Sequence, residues 1–206
     1  MGAYQKEKTE NAICFFASRH KEKTGKYLFQ TSLYKYLALF EFEFLKKYGQ
    51  PPIGLTYRAM DWGPVPMEIY GKREKYDAPC FSFRKNPEGK ITIIPKGKPD
   101  MDYFSMAEME EMARLVEIYA DKFVTSEDMR KASHSEIPAW RKTYEKKPNE
   151  IIDYELTFDD DIEAKPPQKL SPAEENFLIY KGLKDCGILW SHKRAGLEFM
   201  PVDGLI

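Results

Sequence analysis

The sequence predicts an α+β fold, mainly helical, in one domain built around a central helix at about residues 28–48 with a small antiparallel sheet on one side. Three observations carry this. Leu33, Leu37, Phe40, Phe44 and Tyr48 recur at spacings of three and four, with Tyr36, Leu39 and Phe42 on further faces, so this helix needs partners on several sides. Cys80–Arg84 and Lys90–Pro95 flank Asn86-Pro-Glu-Gly89, a type I turn sequence, and read as a β-hairpin. Ser105 with Glu108 and Ser171 with Glu174 are capping boxes that open two later helices.

The remaining elements follow in order. Thr9 or Asn11 caps a first helix to about His20, with Ile13, Phe16 and Ala17 on its apolar side, and the charged loop Lys21–Gly25 ends it. Gly49 with Pro51 and Pro52 stops the central helix. Leu55, Tyr57 and Ala59 alternate with polar neighbours as a short strand, Trp62-Gly63-Pro64 turns the chain, and Pro64 or Pro66 opens a helix through Tyr76. A lone hairpin is marginal, so the hairpin at 80–95 is expected to join the Leu55–Met60 strand. The helix after Ser105 has Met109, Met112 or Ala113, Val116, Ala120 and Phe123 as its core face, and its methionines read as core filler. Thr125 or Ser126 caps a helix to about Ala132, and Pro138 starts another. Glu150–Phe158 is expected to be extended, Ser171 caps a helix to about Asp185, and Ile188–Trp190 with Leu197–Met200 suggests a terminal hairpin.

Composition narrows function by exclusion. The 206 residues suffice for one real core, with about 70% of the unfolded surface buried on folding. Lys plus Arg (32) almost cancels Asp plus Glu (33), so no global basic field favours nucleic acid. Cys14, Cys80 and Cys186 are odd in number and far apart, which fits buried free thiols rather than disulfides or zinc. With no apolar run of about 18 residues and no signal-like start, a cytoplasmic protein without a membrane partner is expected.

Sites of known chemistry are missing. His20, His134 and His192 are scattered, Asp159–Asp161 lack calcium-loop spacing and read as a solvated loop, and neither a phosphate loop nor a nucleophile elbow occurs. No cofactor, metal or catalytic residue is expected. His134 with Glu136 and Trp140 is the most site-like group, but as a catalytic dyad it lacks a nucleophile and an orienting third member. Lys35, set inside the apolar helix, is expected to reach the rim or pair with Glu41 or Asp61. A small enzyme using His134 and Glu136, and a DNA-binding operon regulator, are the alternatives to a protein-binding module.

Three blocks then resemble the Panacea, or SocA-like, antitoxin domain of bacterial and phage toxin–antitoxin operons. Ser32-Leu-Tyr-Lys35-Tyr-Leu with Lys47-Tyr48-Gly49 is similar to its first helix, and Gly54-Leu-Thr-Tyr57-Arg-Ala-Met60-Asp-Trp62-Gly63-Pro64-Val65 with Ile69-Tyr70 to its central block. Ser133-His134-Ser-Glu136-Ile-Pro138-Ala-Trp140 is similar to its third. Tyr36 and Ala38 depart from the pattern. The resemblance spans roughly 10–145, within an antitoxin-like domain at 1–150, and leaves 151–206 as a C-terminal extension packed on the same domain. It implies a non-enzymatic antitoxin that binds a cognate toxin encoded nearby, by direct binding or by delivering it to a protease as an adaptor. Lys35, Asp61, Trp62, Tyr70, His134, Glu136 and Trp140 are the candidate partner-binding residues; Tyr57 and Ile69 are expected in the core.

Overall fold

Helix α2 (Gln30–Tyr48) is the axis on which the other elements pack, and its sequence explains why. An apolar face of normal width would be satisfied by one neighbour, whereas Ser32–Phe42 are buried without a break, leaving no solvent side over three turns. Around it lie α1 (Gln5–Thr24), α4 (Met106–Tyr119), α5 (Ser126–Glu136) and α7 (Pro172–Asp185), together with strand β3 (Gly63–Pro66). The computed structural model describes residues 4–71, 76, 78–158 and 161–187. Among these are seven α-helices, including the single-turn α3 (Met67–Tyr70) and the short α6 (Pro138–Lys146), beside two small antiparallel sheets; the fold is α+β and mainly helical.

The sheets are partitioned differently from expectation. Strands β4 (Phe81–Lys85) and β5 (Ile91–Pro95) form the predicted hairpin, but their third strand is β1 (Leu28–Phe29), which pairs with Ile93 and Thr92. The central helix therefore starts at Gln30, because the two residues before it are spent on that ladder. Strand β2 (Tyr57–Met60) is unavailable to the hairpin since both of its edges are taken. One edge pairs with β3. On the other, Ala59 N donates to Glu150 O at 2.9 Å, Asn149 N to Ala59 O at 2.7 Å and Ile152 N to Tyr57 O at 2.9 Å.

Other boundaries moved for local reasons. Helix α1 begins at Gln5 and continues through Thr24, where Gly25 at φ 72° ends it, so the charged loop is its last turn. Pro64 lies inside β3 and Pro66 caps α3, which stops at Tyr70; Tyr76 is outside any helix. Helix α5 reaches Glu136 before the residue preceding Pro138 leaves helical geometry. Residues 150–158 are not a strand: one bridge at Ile151 precedes a 3₁₀ turn at Tyr154–Thr157. Phe123 lies beyond the end of α4 and is 79% exposed, so it does not belong to the core face that Met112, Val116 and Ala120 build. Both predicted capping boxes form, and Thr125 with Asp128 makes a third. Cys14 and Cys80 are buried free thiols, Cys14 being pushed up to about 12 by burial, while Cys186 is exposed, against expectation. The expected terminal hairpin at 188–200 lies outside the described residues, as do His192, Asp159 and Asp160.

Beyond residue 150 the chain returns to α2. Gly49, at φ 78°, lets α7 approach so closely that a methyl group there would lie 2.1 Å from Ala173 O, and Asn176 Nδ2 donates to Tyr48 O at 3.2 Å. Glycine is required at 49 both for the left-handed helix end and for this contact.

Candidate partner-binding face at the Trp62 turn

Register Met60↔Gly63 leaves Asp61 and Trp62 as the loop between β2 and β3. Gly63 alone supplies the left-handed residue, at φ 105°, that lets the hairpin close. The turn is held from three elements. From α2, Lys35 Nζ donates to Trp62 O. From α6, Trp140 Nε1 donates to Met60 O at 3.1 Å and the Tyr144 hydroxyl to Asp61 Oδ1 at 3.0 Å. From α5, the Arg130 guanidinium lies 5.7 Å from the centroid of the Trp62 ring, within cation–π range, while pairing with Glu127. The backbone around Trp62 is thus fixed, and its indole stands 65% exposed.

Behind the turn the packing is tight and polar. A methyl group on Gly63 would come 2.7 Å from Lys35 Nζ, 3.1 Å from Ser133 Oγ and 3.5 Å from His134 Nε2, so glycine makes the room in which these three side chains meet. His134 stacks on Trp140 at 3.8 Å and 17°, and Trp140 on Tyr144 at 5.0 Å and 19°, a ladder of three rings bracing the turn. Lys35 is 4% exposed and pairs with neither Glu41 nor Asp61, the partners expected for it; it makes its bond to a carbonyl. Burial, and secondarily the Arg130 charge, push it down to about 8. His134 is held below its usual value by burial, then by Lys35 and Arg130, and its Nε2 is buried without a hydrogen-bond partner.

Five of the seven sequence candidates therefore converge: Lys35, Asp61, Trp62, His134 and Trp140. Tyr70 lies past the far end of β3, half-buried with its ring 6.5 Å from that of Tyr34. Glu136 is exposed and its charge bears on Glu43 and Tyr119, whereas the charges bearing on His134 are Lys35, Arg130 and Glu127. Nothing in the geometry links His134 to Glu136 as an acid–base pair. Ser133 is fully buried and donates to Arg130 O at 2.9 Å, which is not the setting of a nucleophile. Sequence reading missed Arg130, Ser133 and Tyr144. Tyr144 follows Trp140 by one helical turn, which was a usable signal; Arg130 carried none.

Fold and face together define a mainly helical module that presents a braced aromatic residue, and no described helix is long and apolar enough to cross a bilayer. The family described as antitoxin SocA-like, Panacea domain matches residues 33–141, more than half of the chain, and the chain belongs to that family. No curated protein and no solved structure matches it. The matched segment runs from α2 to the Trp140 ladder and so contains every side chain of the braced turn except Tyr144.

Proposed function

We propose that this chain is an antitoxin-like protein-binding module that neutralises a toxin encoded beside it by seating the toxin on the Trp62 turn. The observation that carries the proposal is the pairing of a 65% exposed indole with a backbone anchored by Lys35, Trp140 and Tyr144. Exposed tryptophan and arginine on a rigid support are the residues that dominate protein–protein affinity, because little conformational freedom is lost when they are covered. In this reading Trp62 and Arg130 touch the partner. Lys35, Asp61, His134 and Trp140 hold them in place, and Tyr70 and Glu136 lie outside the contact. Membership of an antitoxin family supports a toxin as the partner. Direct occlusion is the simpler mechanism; delivery of the bound toxin to a protease uses the same face and adds a second docking event.

Co-expression with each neighbouring small open reading frame tests the proposal. The cognate product should co-purify and growth should be rescued. Trp62→Ala should lower affinity at least tenfold, a loss of ~1.4 kcal/mol or more, with an unchanged thermal midpoint. If no adjacent protein is bound, the antitoxin reading fails; if Trp62→Ala binds as the parent does, the face is wrong. Bound toxin that is short-lived in protease-proficient cells and long-lived in protease-deficient ones would identify delivery.

A further inference from the structure

Besides Lys35, α2 buries one carboxyl, that of Glu41, six residues further along the helix. It is 0% exposed. Its Oε1 accepts Gly54 N, Leu55 N at 3.1 Å and is 2.8 Å from the Tyr154 hydroxyl oxygen, while its Oε2 is sealed and has no partner. The same Tyr154 oxygen is 2.5 Å from Leu55 O.

These contacts set a hydrogen count. Two short oxygen–oxygen contacts meet at Tyr154, one to a carboxyl and one to a carbonyl, and each is strongest with its own hydrogen between the oxygens. A phenol has one. The carbonyl has none to give, so a hydrogen on the carboxyl is what lets both contacts be filled at once, instead of one phenolic hydrogen being shared between them. We propose that Glu41 keeps its proton in the folded chain and donates to Tyr154, which donates to Leu55 O, forming a proton-dependent clasp between α2 and the segment after residue 150. Glu41, Gly54 and Leu55 lie within the family-matched region, and Tyr154 lies beyond it.

The surroundings favour the neutral form. The ionisable groups that face Glu41 are phenols: Tyr57 on β2, Tyr154 on the 3₁₀ turn and Tyr180 on α7, each held above its usual range chiefly by burial and further by Glu41. Two lysines of the surrounding elements are committed elsewhere: Lys181 pairs with Glu155 and Glu163, and Lys8 with Pro52 O and Glu108. Glu68, which also acts on Tyr57, is bound to Thr56 N. Burial pushes Glu41 up to about 7, against the lowering effect of its hydrogen bonds.

The sign of the pH effect follows. Between the ordinary value of 4.5 and about 7 the folded chain holds one proton more than the unfolded chain at this group, so its contribution to stability falls as pH rises through that window and is level above it. Glu41→Gln keeps a donor and an acceptor without titrating. Its folding constant relative to the parent should therefore rise by about tenfold per pH unit across the window and then level off. Infrared spectra of the parent near neutral pH should show the carbonyl stretch of a protonated carboxyl that Glu41→Gln lacks. Hydrogen exchange, corrected for its intrinsic pH dependence, should accelerate at 152–158 as pH passes through the window, and not in β5. Parallel pH profiles for parent and variant, or no protonated-carboxyl band in the parent, would overturn the proposal. Should Glu41→Gln not fold, the infrared band and the exchange profile of the parent still decide it.

Discussion

Gly63 is the residue on which the candidate face depends most. Its φ of 105° is costly for any residue with a Cβ, and the position a Cβ would take is within 2.7 Å of the Lys35 ammonium. Gly63→Ala should destabilise the chain by about 1–3 kcal/mol in chemical denaturation. Gly71 is the control: it has ordinary αR geometry and open space, so Gly71→Ala should be neutral or slightly stabilising. The sequence made Gly63 visible as a turn former, because Trp-Gly-Pro is punctuation that any chain must obey. It could not show that the glycine also clears space for Lys35, since that lysine arrives from 28 positions upstream and meets a carbonyl instead of the carboxylate its charge suggests.

At the scale of elements, what could be read was what is decided within a few residues. The capping boxes at Ser105 and Ser171 formed as expected because both partners lie in one turn of chain. Ser105→Ala should cost about 1 kcal/mol, measured as a shift of the unfolding midpoint. The effect should be helped by the role of Glu108, which also pairs with Lys8 at 2.6 Å and ties the start of α4 to α1. The sheets were read less well for the converse reason. Whether β2 could accept the hairpin depended on residues 149–152, some ninety positions away, occupying its free edge. Two-residue β1 exists only because β5 is beside it, and no local pattern announces so short a strand. Phe123 was assigned to the core by periodicity, but α4 ends at Tyr119 and the phase of the pattern is lost with the helix.

For the whole molecule, α2 works as a spine with two polar sockets. Lys35 faces the hairpin that displays Trp62, and Glu41 faces the strand entry at Gly54 and the C-terminal segment. We propose that residues 151–158 and 161–187 form part of the same domain, as the Tyr154 contact and the close seat of α7 on Gly49 support. The sequence marked Lys35 as an anomaly within an apolar helix and named Glu41 only as its possible partner; each instead organises backbone, and which backbone each organises is a property of the fold. Likewise the three blocks that carry the family resemblance were legible, while their meeting at one turn was not.

The contrast between the tryptophans has an optical consequence. Trp62 stands 65% exposed, whereas Trp140 is 6% exposed and lies flat against an imidazole. Their emission should differ in wavelength, with the solvent-facing indole the redder and the one quenchable by acrylamide. In a Trp190→Phe background, covering the turn should move the red component to the blue and leave the other in place. A toxin titration read by intrinsic fluorescence would then report occupancy of this face without any label, and a titration that shifts neither component would show that the partner sits elsewhere.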